Sequence, residues 1–295
     1  MILLKKKVFV GACTAIITPM KDGRIDYYSL DKLIEHQIAE GISALVVAGT
    51  TGEVSTLSYT EHRQLIKHAV KRINGRIPLI AGTGSNDTQK AVKMSLYAES
   101  YCADALLSVT PYYNKANKEG IISHYESICE SCRLPVIIYN VPGRTNVNIP
   151  PETYEKLKKI KNLCGIKEAS NNLSDMALTS VKCPDIPIYC GNDDLLIPAL
   201  SVGACGVISV MSNIFPTVTS AVCRHYLEGD TETALSLYRK YLNFSRLLFA
   251  DINPIPIKHI MAYAGFCKED IRLPLTKASL ELKEKLEAEY ELLLR

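Results

Sequence analysis

Short apolar runs alternate along the chain with longer stretches in which apolar residues recur every three or four positions. The first run, Val8–Thr18, closes with Pro19 and Gly23, as a strand followed by a turn does. Tyr28–Glu40 then carries Leu30, Leu33, Ile34 and Ile38 at helical spacing, with Ser29 and Asp31 as start signals. Further strands are predicted at Ala44–Ala48, Pro78–Ala81, Ala105–Val109, Val136–Tyr139, Leu163–Ile166, Ile186–Cys190 and Gly206–Val210. Helices are predicted between them at Thr60–Ile73, Thr88–Ser100, Gly120–Cys132, from Pro150-Pro151 onward, at Leu173–Val181 and at Leu195–Val202. Short strands apolar on both faces, each followed by a helix, predict an α/β fold of the (β/α)8 TIM-barrel class. A doubly wound sheet usually needs a glycine-rich first turn, and Thr18-Pro19-Met20 is not one. Beyond Ile214 only helical patterns remain, at Ala221–Glu228, Thr231–Ala250, Pro254–Ala264 and Lys277–Leu294. The expected organisation is a catalytic barrel over residues 1–225 with a C-terminal helical region over 226–295.

Charge narrows the function. With 34 basic and 31 acidic residues the net charge is +3, which gives no footprint for nucleic acid or an acidic membrane. No run approaches the ~18 apolar residues of a membrane-spanning helix. Met1-Ile2-Leu3-Leu4 precedes Lys5-Lys6-Lys7, the reverse of the order in a secretory signal. A soluble, cytoplasmic protein is expected. The ten cysteines are scattered through apolar segments, where a free thiol acts as a small hydrophobe. Cys129 and Cys132 form a lone CxxC without histidine at zinc spacing, and are read as structural.

In such a barrel, chemistry gathers where the strands exit. The sixth run ends in Gly165-Ile166-Lys167-Glu168-Ala169. Strand alternation puts Lys167 on one face with Gly165 and Leu163, and Ile166 and Cys164 on the other. A lysine that attacks a carbonyl needs the neutral amine, and desolvation is one way to supply it. The bland alternative is a strand-end lysine that snorkels into water. The other exits supply Gly49-Thr50-Thr51-Gly52-Glu53, Thr110-Pro111-Tyr112-Tyr113-Asn114, Tyr139-Asn140-Val141-Pro142-Gly143-Arg144-Thr145 and Gly191-Asn192-Asp193-Asp194. The Gly49–Gly52 turn offers backbone N–H groups and hydroxyls that suit a carboxylate. Tyr112, Tyr113 and Tyr139 supply phenols able to move protons, and Arg144 is a fork for a second carboxylate. No His, Cys and acidic residues stand at metal-ligand spacing, so neither metal nor cofactor is expected. His36, His62, His68 and His124 fall on helices, and no Ser-His-Asp order stands out. Amine, phenol and carboxylate binders together suit Schiff-base carbon–carbon chemistry on a small keto acid. A barrel that binds a keto acid without turning it over is the competing reading.

Four of these exit motifs, those beginning at Gly49, Thr110, Tyr139 and Gly165, resemble in this order those of the dihydrodipicolinate synthase (4-hydroxy-tetrahydrodipicolinate synthase) family. That family belongs to the class I pyruvate-dependent aldolases, which are (β/α)8 barrels. The resemblance runs from Gly11 through Asn253-Pro254-Ile255-Pro256-Ile257-Lys258 to Leu273-Pro274. It implies a lyase of the diaminopimelate route to lysine, condensing pyruvate with L-aspartate 4-semialdehyde. In that scheme Lys167 forms the imine with pyruvate and Tyr139 moves protons beside it. Thr50 links Tyr139 to Tyr113, which reaches into a neighbouring subunit's site. Thr50 and Thr51 hold the pyruvate carboxylate, Arg144 receives the semialdehyde carboxylate, and Gly191 and Ile208 line the pocket. A homotetramer built as a dimer of dimers is implied. N-acetylneuraminate lyases and keto-deoxy sugar-acid aldolases share the lysine and tyrosine but lack the arginine, so Arg144 favours the synthase. The family's lysine-effector site maps to Val54, Ser55, Tyr59, His62, Asn86, Lys90 and Tyr112. Sensitive members carry an acid where this chain has Lys90 and a histidine where it has Tyr59, so weak or absent inhibition is expected.

Overall fold

The computed structural model describes residue 5 and residues 7–295. Met1–Leu4 and Lys6, most of the segment read above for its apolar-then-basic order, lie outside the described residues. Eight parallel strands close into a barrel: β1 (Gly11–Ala15), β2 (Ala44–Val47), β3 (Leu79–Gly82), β4 (Ala105–Val109), β5 (Val136–Asn140), β6 (Leu163–Glu168), β7 (Ile188–Cys190) and β8 (Gly206–Ser209). Neighbours in sequence are neighbours in the sheet, and β1 pairs with both β2 and β8 to close it.

The strands are buried on both faces, which is why they read as continuous apolar runs. Cys13, Val46, Ile80, Leu107, Ile137 and Ile208 fill the interior. Leu45, Val47, Ala81, Leu106, Ile138 and Ile166 pack outward under the helices.

Strand β6 departs from simple alternation. Val136 of β5 stands level with Leu163, but Ile137 stands level with Gly165, so Cys164 is an extra residue in a bulge. Cys164 therefore joins the interior and Leu163 the outer layer. The expected shared face of Leu163, Gly165 and Lys167 is corrected at Leu163. From Gly165 onward the register is regular and brings Lys167 level with Tyr139.

A hairpin and a short helical turn are among the small elements that escaped the sequence pattern. Asp22 and Gly23, both at positive φ, turn a hairpin of the two-residue strands Met20–Lys21 and Arg24–Ile25. Pro142–Thr145 forms one helical turn after β5, opened by proline and closed by Asn146 in the left-handed region. Four residues are too few to show a period. Four longer helices follow β8, at Pro216–Leu227, Thr231–Leu247, Ile255–Tyr263 and Leu280–Leu293. The first packs on β1, the second on the first, and the last on both of the two before it.

Candidate active site

The strand exits enclose a cavity of about 170 Å³ at the C-terminal mouth of the barrel. Thr50, Thr51, Tyr139, Arg144, Lys167 and Gly191 all line it. Two predicted site residues do not. Ile208 is fully buried in the barrel interior, and Val210 takes the place on the wall. Tyr113 is 90% exposed at a φ of 75° and is not part of this chain's own cavity.

Lys167 and Tyr139 are adjacent because they are register partners on β6 and β5. Lys167 is only 5% exposed, and its Nζ lies 4.4 Å from the centre of the Tyr139 ring. A second buried lysine provides the contrast. Lys258 is paired with buried Glu53, whereas among the described residues no carboxylate lies within ion-pair distance of Lys167. An amine without a carboxylate partner in a closed site is suited to nucleophilic work rather than to holding the fold. Gly191 gives it room: a Cβ there would stand 2.7 Å from the Ala169 Cβ and 3.2 Å from the Lys167 Cε. Asp193 fixes the exit of β8 by accepting the N–H groups of Val210 and Met211 at 2.8 and 3.0 Å. Burial pushes the Asp193 carboxyl up, while those bonds and the nearby Lys167 act in the opposite direction.

The side of the cavity formed by Thr51 and Arg144 is held from the far end of the chain. Asn253 Nδ2 donates to Thr51 Oγ1 at 3.0 Å, and Arg144 Nη2 donates to the Asn253 carbonyl at 2.9 Å. Glu53, directly after the Gly49–Gly52 turn and at a φ of 56°, pairs with Lys258 and accepts the Arg272 N–H at 3.1 Å. Lys258 also donates to the Asp270 carbonyl at 2.6 Å. Sequence reasoning assigned no role to Glu53, Asn253, Lys258 or Arg272. A signal was present, since Lys258 interrupts the apolar run Ile255-Pro256-Ile257 and Ile260-Met261, and a buried ammonium demands a carboxylate.

A second cavity of about 770 Å³ gathers Val54, Ser55, Tyr59, His62, Asn86, Lys90 and Tyr112, and shares Thr50, Val141 and Arg144 with the first. His62 faces the Gly82 carbonyl at 2.7 Å, and burial lowers its pKa. All ten cysteines are free thiols. Burial raises both members of the CxxC pair, Cys129 to about 12. Among the described residues no His, Cys, Asp and Glu side chains gather as a metal-binding group, and no helix is long and apolar enough to cross a membrane.

Residues 8–292 match the Dihydrodipicolinate synthetase family. One relative, the 4-hydroxy-tetrahydrodipicolinate synthase of Acetivibrio thermocellus, is 46% identical, with 92% of this chain and 93% of the relative covered. The fold superposes with a TM-score of 0.93 on the chloride-inhibited dihydrodipicolinate synthase of Acinetobacter baumannii complexed with pyruvate. That enzyme is 41% identical, with 96% of this chain and 98% of the other covered. The enzyme of Cyanidioschyzon merolae, solved with lysine bound, gives a TM-score of 0.95 at 34% identity, covering 98% of this chain and 99% of the other.

Proposed function

The chain belongs to the dihydrodipicolinate synthetase family, and on that premise we propose that it condenses pyruvate with L-aspartate 4-semialdehyde through a Schiff base on Lys167, as a 4-hydroxy-tetrahydrodipicolinate synthase does. The observation that carries this reading is the unpaired, buried amine of Lys167 beside the Tyr139 ring. The Lys167 amine adds to the pyruvate carbonyl and, with one proton taken up, water leaves, giving an iminium. The iminium draws electrons from the methyl group, which loses a proton and becomes an enamine carbon. That carbon bonds to the aldehyde carbon of the semialdehyde. The semialdehyde's amine then displaces Lys167 as the ring closes, and the enzyme is regenerated.

Tyr139 moves the protons of these steps, with Thr50 passing them towards Tyr113. The exposed Tyr113 serves a second copy of the chain, so each site is completed by its partner. A homotetramer made of two such dimers, working in the cytoplasm, follows from the same reading. Thr50 and Thr51 hold the pyruvate carboxylate, and Arg144 receives that of the semialdehyde. Gly191 keeps the path of the Lys167 side chain open, and Ile208 supports the wall from beneath.

Borohydride reduction in the presence of pyruvate, followed by peptide mass spectrometry, tests the proposal. A reduced pyruvate adduct on Lys167 is expected. A folded protein without an adduct leaves the competing reading, a keto-acid-binding barrel without turnover.

A further inference from the structure

We propose that Asn253 is a positioning residue that aims the Thr51 hydroxyl at the keto-acid carboxylate, a role that rests on the reading of Thr51 given above. Asn253 lies 202 positions from Thr51 in the chain, yet its side-chain amide donates to Thr51 Oγ1 at 3.0 Å. Both residues line the cavity, and they are 6% and 2% exposed. A hydroxyl has one proton and two lone pairs. With one lone pair taken by the amide, the proton is left to point away from Asn253. No acceptor among the described residues takes it. A carboxylate in the cavity is the acceptor that suits it.

The rest of Asn253 sharpens the assignment. Its Oδ1 is buried without a hydrogen-bond partner. Such a group is destabilising and asks for a reason. The donor half of the same amide supplies one: an apolar residue here would avoid the orphaned oxygen but would release Thr51. The backbone carbonyl of Asn253 meanwhile accepts from Arg144 at 2.9 Å. The two carboxylate binders are thus held by different parts of one residue. The side chain serves the keto acid, and the main chain serves the second substrate.

That division can be measured. Asn253→Ala removes the amide and leaves the carbonyl that holds Arg144. Asn253→Asp supplies an acceptor that takes the Thr51 proton for itself. Both are expected to raise the KM for pyruvate, by about tenfold in the alanine variant and further in the aspartate variant, since hydrogen bonds to charged groups are the stronger kind. The KM for the semialdehyde is expected to stay within about twofold, the ordinary scatter of an unaffected contact. In a Thr51→Val background, Asn253→Ala is expected to add no further penalty for pyruvate. A parallel rise in both KM values, an unchanged pyruvate KM, or additive penalties in the double variant would overturn the proposal. So would failure of both Asn253 variants to fold, since aiming one hydroxyl is no condition for folding. Borohydride trapping on the unsubstituted protein separates this test from the larger one. No adduct there defeats the functional reading, whereas an adduct with an unchanged pyruvate KM in the variants defeats only the role of Asn253.

Discussion

Asn140 and Glu168 stand level on β5 and β6, and the Asn140 Nδ2 lies 3.1 Å from each carboxylate oxygen of Glu168. They directly follow Tyr139 and Lys167, and alternation turns them towards the other face of the sheet. The same carboxylate accepts the Ser170 N–H at 2.9 Å and the Tyr154 hydroxyl at 3.4 Å. Burial pushes the Glu168 carboxyl up, and these donors act in the opposite direction. The network ties the two strands together behind Tyr139 and Lys167. Glu168→Ala would leave its donors unpaired inside the protein. A loss of about 3 kcal/mol in stability is expected, read as a lower urea midpoint. A midpoint unchanged from the unsubstituted protein would show that the network carries no such weight.

Lys167 and Arg144 should separate cleanly when each is replaced. Lys167→Ala is expected to abolish the borohydride-trapped adduct. Arg144→Ala is expected to keep the adduct while lowering kcat/KM for the semialdehyde by roughly a hundredfold, the cost of an unpartnered carboxylate. Trapping and steady-state kinetics on the two variants check this together. The reverse pattern would contradict both assignments.

Stability is expected to fall on mild acidification. Burial lowers His124 to about 4, and its Nδ1 lies 2.9 Å from the Thr88 hydroxyl. Unfolded, the ring takes up a proton near pH ~6.5. At this residue the unfolded state therefore binds more protons between these values, and the contribution of His124 to stability declines as pH drops from about 6.5 towards about 4. The loss amounts to a few kcal/mol at most. Thermal melts across that window check it, and His124→Gln is expected to flatten the slope. An equally steep slope in that variant would assign the effect to other groups.

Lysine is expected to inhibit weakly or not at all. Lys90 lines the second cavity, and a cation there would repel the ammonium of a lysine bound beside it. Dose–response assays of turnover decide the matter, and half-inhibition at sub-millimolar lysine would defeat the expectation.

The barrel was legible because each strand is buried on both faces and stands between helices with clear periods. Lys167 stood out as a candidate because it is a charge at the end of an apolar run. The bulge at Cys164 was not, because a run apolar throughout shows no break in alternation when one residue is inserted. The Asp22-Gly23 hairpin had a sequence signal, but its strands are two residues long. Asn253 was out of reach for another reason. A polar residue before a helix looks the same whether its amide faces water or a threonine some 200 positions away.

That remote tether has a consequence for how the enzyme comes into being. A ribosome that has delivered all eight strands has released the parts of a barrel, but not yet Lys258 or Arg272, which grip Glu53. Until they emerge, the Gly49–Gly52 turn that precedes Glu53 lacks its anchor. Catalytic competence is thus expected to arrive with the final quarter of translation, and a chain stopped at Asp251 should bind pyruvate far more weakly even where its strands and helices have formed. Circular dichroism together with borohydride trapping on that fragment would decide it, and full trapping by a folded fragment would refute it.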